Sequence, residues 1–307
     1  MQKYTLKEQI KDNFYLRWIQ YQIKYVIPWR IKGDRRLIEE KYMHYLGYKP
    51  DLDNPKRLNE KLQWLKLHDR RPFCTMCVDK YRVREYLKKN FGEQYTVPVV
   101  FQTEDWRKIT PGNLPDYPCV VKANTGSGTW RIIRDKNEVN FKELRNKCRR
   151  WMYLNQYYRT QEWQYKNVKP CIIVEKLLTD KDGKIPNDVK LHYFNGELAF
   201  VYCVIDREGE NYRALFTRDW ELLPFQWVSD AKYKKIDKPV TEPRPANLDK
   251  MIEFGDRIAK NFRYVRVDFY ELDGRMYFSE ITLQHGAGYN KFHPAEYEKT
   301  YAELLKL

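Results

Sequence analysis

Three stretches of the chain hold residue types whose spacing could do chemistry. In RVDFYELDGRMYFSEIT, Arg266 and Asp268 stand two residues apart on a strand pattern and share a face, and Glu280 and Thr282 do the same on the next strand. The turn signal Asp273-Gly274 between them sets the register. A two-residue turn puts Asp268 opposite Ser279, whereas a three-residue loop over Asp273–Arg275 puts it opposite Glu280. In the second register two carboxylates converge among apolar neighbours. They repel unless a cation sits between them, which is how Mg²⁺ is commonly held with phosphate oxygens. In VVKANTGSGTWRII a strand ends in Lys122 and passes through Gly126, Ser127 and Gly128 into another strand. Small residues let backbone amides approach an anion, Ser127 and Thr129 add hydroxyls, and Lys122 offers a compact positive charge. The Walker and dinucleotide glycine patterns are both absent, so the loop reads either as a plain hairpin or as a phosphate-binding loop. In CIIVEKLL, Glu175 and Lys176 interrupt an apolar strand. That stretch reads either as a hinge whose backbone can pair with an adenine edge, or as an edge strand with two solvated charges.

These residues need elements to position them. Apolar residues recur at helical spacing over Leu37–Leu46, Leu58–His68 and Val78–Asn90, and again from Phe141 to about Tyr158 and over Leu248–Asn261. From Thr96 onward short β-branched runs bounded by Gly, Pro and Asn read as strands, with Asn195-Gly196 and Asp273-Gly274 as hairpin turns. The predicted class is α+β. A helical region over 1–95 precedes a small mixed lobe over 96–170 and a larger mixed lobe over 171–307.

Near the start, Ile10, Phe14, Trp18, Tyr21 and Tyr25 recur on one face of a helix from Leu6 to Ile27, which Pro28 should end. Two readings stay open: a helix packed on the body of the protein, or an interfacial helix lying on anionic lipid. Of the six cysteines, Cys74 and Cys77 form a CxxC. It has no second pair or suitable His spacing for zinc, and it is expected to be a loop without redox or metal function. Cys119, Cys148, Cys171 and Cys203 read as core or incidental thiols.

The 307 residues include 57 Lys+Arg against 42 Asp+Glu, a formal net charge of +15, and 42% are hydrophobic. That apolar content excludes a disordered chain, and the low Gly and Pro counts exclude fibrous and low-complexity classes. No apolar run approaches the ~20 residues that would cross a bilayer, and no signal-peptide pattern opens the chain. The expectation is a cytoplasmic protein, peripheral to the inner face of a membrane if the first helix binds lipid. The surplus positive charge asks for an anionic partner: nucleic acid, a membrane surface or a polyanionic substrate. No local motif supports nucleic acid.

In this order, the strand lysine, Gly-rich lid, hinge Glu, and R-x-D hairpin with its distal Glu resemble the ATP-grasp fold. The chain more narrowly resembles the TupA-like ATP-grasp family, associated with bacterial cell-surface polysaccharide synthesis. The likeness is carried by NPKRLNEKLQWLKLHDR, VDKYRVREYL, VVKANTGSG, IIVEKLL, NDVKLHYFNGELAFV, Asp206-Arg207, RDWELLPF and RVDFYELDGRMYFSEIT with its following glycines. The resemblance implies two mixed α/β lobes holding ATP between them. Lys122 would bind the α/β-phosphates, and Asn124, Gly126, Ser127 and Gly128 would cover the triphosphate. Glu175 and the backbone at Lys176 would contact adenine, and Asp188 or Lys190 the ribose or phosphates. Asp268 and Glu280 would hold Mg²⁺. Thr282 stands where many ATP-grasp enzymes have a metal-binding Asn, and its hydroxyl could still coordinate. Arg266 would neutralise the transferring phosphoryl group, and Gly286 and Gly288 would donate to the oxyanion. His285 reads either as structural or as a residue that substitutes for the missing Asn or contacts substrate. The implied reaction is ADP-forming ligation of a carboxylate to an amine through an acyl phosphate. Its substrates would be a uronic acid of a surface polysaccharide or lipid-linked precursor, and an amino acid or small amine. Arg207, Arg213, Arg218 and His192 are candidates for sugar carboxylates. A sugar kinase or glycosyltransferase on the same fold, and a non-enzymatic binder of acidic polymers, are the alternatives.

Overall fold

The computed structural model describes residues 13–206, 208–209, 211–234 and 242–307. In chain order its helices are α1 (Phe14–Tyr21), α2 (Ile27–Leu46), α3 (Leu58–His68), α4 (Pro72–Val78), α5 (Val83–Phe91), α6 (Phe141–Tyr153), α7 (Gln156–Thr160), α8 (Leu248–Ala259) and α9 (Tyr297–Leu304). Its strands are β1 (Val99–Thr103), β2 (Cys119–Ala123), β3 (Trp130–Ile133), β4 (Ile172–Lys176), β5 (Asp188–Phe194), β6 (Glu197–Ile205), β7 (Tyr212–Phe216), β8 (Gln226–Val228), β9 (Tyr264–Leu272), β10 (Arg275–Thr282) and β11 (Lys291–His293). The contacts form two units: residues 1–38, 70–84 and 98–177, and residues 39–69, 85–97 and 178–307. The helical segment expected over 1–95 is therefore shared between them, and β4 belongs to the first.

Unit 1 is built on a four-stranded antiparallel sheet in the order β1-β4-β2-β3. Strand alternation puts Cys119, Val121, Ala123, Ile172 and Val174 on one face, where they pack with Leu144 and Cys148 of α6. The other face carries Lys122 and Glu175. Because β4 pairs with both β1 and β2, it is a central strand, which removes the edge-strand reading of Glu175 and Lys176.

Helix α1 docks one face on this unit. Phe14 meets Tyr153 edge to face at 5.4 Å, Arg149 lies 3.8 Å over the Phe14 ring, and the Tyr21 hydroxyl donates to Asn155 O at 2.7 Å. Pro28 does not end the pattern as expected. A π-turn over Gln22–Val26, in which Ile27 N donates to Gln22 O, carries the helix without a break past Pro28 into α2. The CxxC is also not a loop. Pro72 starts α4, and Cys74 and Cys77 point from it into the core, where burial pushes the Cys77 thiol up.

Unit 2 holds a five-stranded sheet in the order β10-β9-β5-β6-β7 and a two-stranded pair of β8 with β11. Asn195 and Gly196 have φ of 50° and 88°, and Asp273 and Gly274 have φ of 50° and 68°, so each hairpin closes through a two-residue turn of the primed kind. Helix α8 covers one sheet face, packing on β5, β6 and β9. It comes so close at Gly255 that a Cβ there would lie 2.2 Å from the Tyr193 hydroxyl. The opposite face is part apolar and part charged. Its apolar part packs Phe200, Tyr202, Leu215 and Tyr264 against Trp227, Phe292, α3 and α9. Its charged part is the candidate site.

Candidate functional site

In unit 2 the register brings the predicted residues into rows across the sheet. Glu280 lies opposite Asp268, and Asp268 opposite Lys190; Thr282 lies opposite Arg266, and Arg266 opposite His192. The turn has two residues, with Leu272 paired to Arg275, yet Asp268 does not face Ser279. A bulge between Phe278 and Glu280 takes Ser279 out of the ladder, so the two carboxylates meet despite the shorter turn.

The charges in these rows are tightly paired. The Arg266 guanidinium donates from Nε to Asp268 Oδ1 at 2.7 Å and from Nη2 to Asp268 Oδ2 at 2.6 Å and Glu280 Oε1 at 2.8 Å. Lys190 Nζ donates to Asp188 Oδ1 at 3.0 Å and Asp268 Oδ2 at 2.7 Å. Burial opposes the charge on Lys190, but Asp188 and Asp268 outweigh it and its pKa is raised; burial likewise opposes that of Arg266, which Asp268 and Glu280 raise. Lys232 stands beside this group. Partial desolvation, followed by repulsion from Arg213, Arg266 and Lys190, lowers its pKa. Four cations, Lys190, Arg213, Lys232 and Arg266, thus stand together with three carboxylates, Asp188, Asp268 and Glu280, an excess of one positive charge. Lys232 escaped sequence reasoning because its short 3-10 turn, Asp230–Lys232, carries no periodic signal.

His285 fixes the guanidinium. Arg266 Nη1 donates to His285 Nδ1 at 2.9 Å, so the ring is neutral with its proton on Nε2, which donates to Trp227 O at 3.1 Å. Burial, then the Arg266 charge, holds the His285 pKa well below its ordinary value. His192 is fully buried against Phe200, Trp227 and Tyr264, so it cannot hold a sugar carboxylate as expected. Arg213 donates from Nη1 to Asn211 O at 2.5 Å beside the cation group, and Arg207 lies outside the described residues.

The turn holding Gly286 and Gly288 is anchored from α3. Gln63 Nε2 donates to Gly288 O at 2.7 Å, and Lys66 Nζ donates to Ala287 O at 2.7 Å. Because the peptide is trans, a carbonyl of Ala287 held toward Lys66 turns the Gly288 N–H the opposite way. Gly286 and Gly288 adopt φ of 56° and 71°, and a Cβ would strike Asn290 at the first and Gln63 at the second.

Unit 1 assembles a second group. On the non-core face, Lys122 Nζ meets Glu175 Oε2 at 2.5 Å, and Arg84 Nη1 meets Glu175 Oε1 at 3.3 Å. Arg84 was not legible as a site residue, since it comes from a helix distant in sequence. The Lys176 and Leu177 amides donate to Pro98 O and Pro118 O, each at 3.0 Å, so these hinge donors are already used. Asn124 is fully buried, and its side chain is committed as well. Its Nδ2 donates to Asp79 Oδ1 at 3.0 Å and Lys169 O at 2.9 Å, and its Oδ1 accepts from Cys171 N at 2.8 Å. It secures the base of the loop rather than covering anything. Lys80 Nζ holds Gly126 O at 2.9 Å, and Ser127 and Gly128 form the exposed tip.

Among the described residues no group of three or more His, Cys, Asp and Glu side chains is set to hold a metal. Asp268 and Glu280 are nevertheless hard oxygen donors placed opposite each other, with the Thr282 hydroxyl 3.3 Å from Glu280 Oε1, a set whose chemistry fits Mg²⁺. Unit 2 also has a cavity of about 440 Å³ lined by Tyr48, Arg57, Asn59, Tyr233, Lys291 and Phe292 among others.

Solved structures similar to the chain include three ligases. D-alanine–D-alanine ligase from Bacillus anthracis is 15% identical over 68% of this chain and 57% of its own, with a TM-score of 0.37. The ATP-grasp ligase PsnB, complexed with a phosphomimetic variant of its minimal precursor, Mg and ADP, is 13% identical over 81% and 65%, with a TM-score of 0.42. L-amino acid ligase from Bacillus licheniformis is 17% identical over 81% and 56%, with a TM-score of 0.44. The chain thus spans less than two thirds of the length of each. No curated protein matches it. The model of the TupA-like ATP-grasp family matches residues 60–306, and the chain belongs to that family.

Proposed function

We propose that the chain is an ATP- and Mg²⁺-dependent carboxylate–amine ligase. Its substrates are an acidic sugar of a surface polysaccharide or lipid-linked precursor, and an amino acid or small amine. The observation that carries this reading is the crowding of Lys190, Arg213, Lys232 and Arg266 beside the opposed Asp268 and Glu280. A phosphate chain needs such cations, and Mg²⁺ needs such carboxylates.

In the first half-reaction a substrate carboxylate oxygen attacks the γ-phosphorus. The bond to the β-phosphate bridging oxygen breaks, and ADP leaves. In the second, the amine nitrogen attacks the acyl carbon, the acyl–oxygen bond breaks, and phosphate leaves while the nitrogen gives up a proton. Lys122 and the Gly126–Gly128 loop of unit 1 are the phosphate-binding elements there. In unit 2, Arg266 and Lys190 neutralise the moving phosphoryl group, and the Gly288 amide is an oxyanion donor. Asp268 and Glu280, with Thr282, would hold Mg²⁺, which when bound neutralises phosphate charge. Glu175 holds Lys122 in place, in addition to its proposed adenine contact.

The test is phosphate release from ATP with uronic acids and amines supplied singly and together. Release that requires both supports a ligase. Phosphorylated sugar without any amine requirement would mean a kinase. ATP-indifferent, salt-sensitive binding of acidic polymers would mean a non-enzymatic binder.

A further inference from the structure

The α1 helix satisfies only half of its apolar surface. Its inward face is spent on Tyr153, Asn155 and Arg149, as described above. On the outward side Ile19, Ile23, Ile27 and Ile31 recur every four residues, 45 to 77% exposed, with Leu16 at 43% and Trp18 at 42% beside them, while Tyr15, 64% exposed, sits at the border of the two faces with Arg149 5.0 Å over its ring. This stripe runs unbroken from α1 through the π-turn into α2. Single exposed apolar residues are ordinary, but four isoleucines in a contiguous row on one helix face are not.

The charge around the stripe says what covers it. From Asn13 to Gly33 there are four basic residues, Arg17, Lys24, Arg30 and Lys32, and no acidic one. Lys24, Arg30 and Lys32 are exposed alongside the isoleucines. A second copy of the same stripe would set these cations against their own kind. An anionic bilayer offers apolar depth for the isoleucines, an interfacial level for Tyr15 and Trp18, and negative headgroups for the lysines and arginines. No helix among the described residues is long and apolar enough to cross a membrane, so the contact is parallel to the surface.

We infer that the outward face of Tyr15–Ile31 lies on an anionic membrane surface, holding the protein where a lipid-linked acceptor is found. The contact needs neither nucleotide nor ligation, so it stands or falls separately from the proposed reaction. The experiment is flotation of the full chain with phosphatidylcholine–phosphatidylglycerol vesicles and with pure phosphatidylcholine vesicles. It is repeated for the Ile19→Glu, Ile23→Glu, Ile27→Glu triple variant, with thermal melting as the check on folding. The expected result is flotation with the anionic vesicles, reduced about tenfold or more in the variant at an unchanged melting temperature. Should the triple variant melt early, single Ile23→Glu and Lys24→Glu variants replace it, each expected to weaken flotation. Absence of wild-type flotation, equal flotation of the folded variant, or a wild-type dimer that the variant breaks without any vesicle binding would overturn the inference.

Discussion

Asp268 and Glu280 face one another across β9 and β10 only because Ser279 is bulged out of the ladder. Their separate surroundings make them behave differently on substitution. Asp268 is fully buried and accepts from both Arg266 and Lys190, whereas the Glu280 side chain is 29% exposed. Asp268→Asn strips a charge from two buried cations and should cost about 3 kcal/mol in chemical denaturation. Glu280→Gln should cost under about 1 kcal/mol while abolishing the Mg²⁺-dependent part of ATP binding in calorimetry. Unchanged Mg²⁺ dependence in folded Glu280→Gln would remove Glu280 from the metal site.

Lys122 and Lys232 give the two units separate tests of anion binding. Each offers one charge-assisted contact, so Lys122→Ala and Lys232→Ala should each weaken ATP binding about tenfold or more; Lys232→Ala should leave the melting temperature nearly unchanged, whereas Lys122→Ala, which takes a partner from the buried Glu175, should lower it. Wild-type affinity in either variant would strike that lysine from the site.

Gly255 tests how closely α8 approaches β5. A methyl group there meets the Tyr193 hydroxyl, which donates to Ile252 O at 3.1 Å. Gly255→Ala should destabilise by about 1–3 kcal/mol. Adding Tyr193→Phe removes the nearest atom, so the double variant should lose less than the sum of the two single losses. Strict additivity in urea titrations would show that the contact is not the cause.

His192 and His285 set an acid limit on stability. Burial is the main reason both have pKa values well below the usual 6.5, with nearby cations adding to it. Because the folded values are depressed, their contribution is fully present above about pH 6.5 and falls as the unfolded state gains protons below it. The loss should approach about 1.4 kcal/mol per pH unit for each ring. Stability measured between neutral and mildly acid pH should show this slope, and His192→Asn should halve it. A flat profile over that range would contradict the neutral assignment.

Much of this architecture was legible because strand alternation and turn chemistry are local. The two hairpin turns, the central strands and the shared face of Arg266 and Asp268 follow from residues adjacent in sequence. The bulge at Ser279 was not legible, since an extra residue in a ladder leaves no mark on hydrophobic alternation. Strands β8 and β11 are three residues each, too short for a period to show. Pro28 misled because the π-turn before it lets the helix continue past the missing N–H. The partners of Glu175 and Asn124 were also hidden, because Arg84 and Asp79 reach them from segments far away in the chain.

The fastening of Asn124 bears on how the glycine loop can act. One buried amide ties the root of the loop to Asp79, Lys169 and Cys171, and Lys80 grips it again at Gly126. The chain entropy of those residues is spent when the protein folds, not when an anion arrives. Only the exposed tip at Ser127 and Gly128 is left to be ordered, at about 1–2 kcal/mol per residue. A loop of this kind works as a short fingertip on a rigid knuckle, and tightening the tip would raise affinity by a bounded amount.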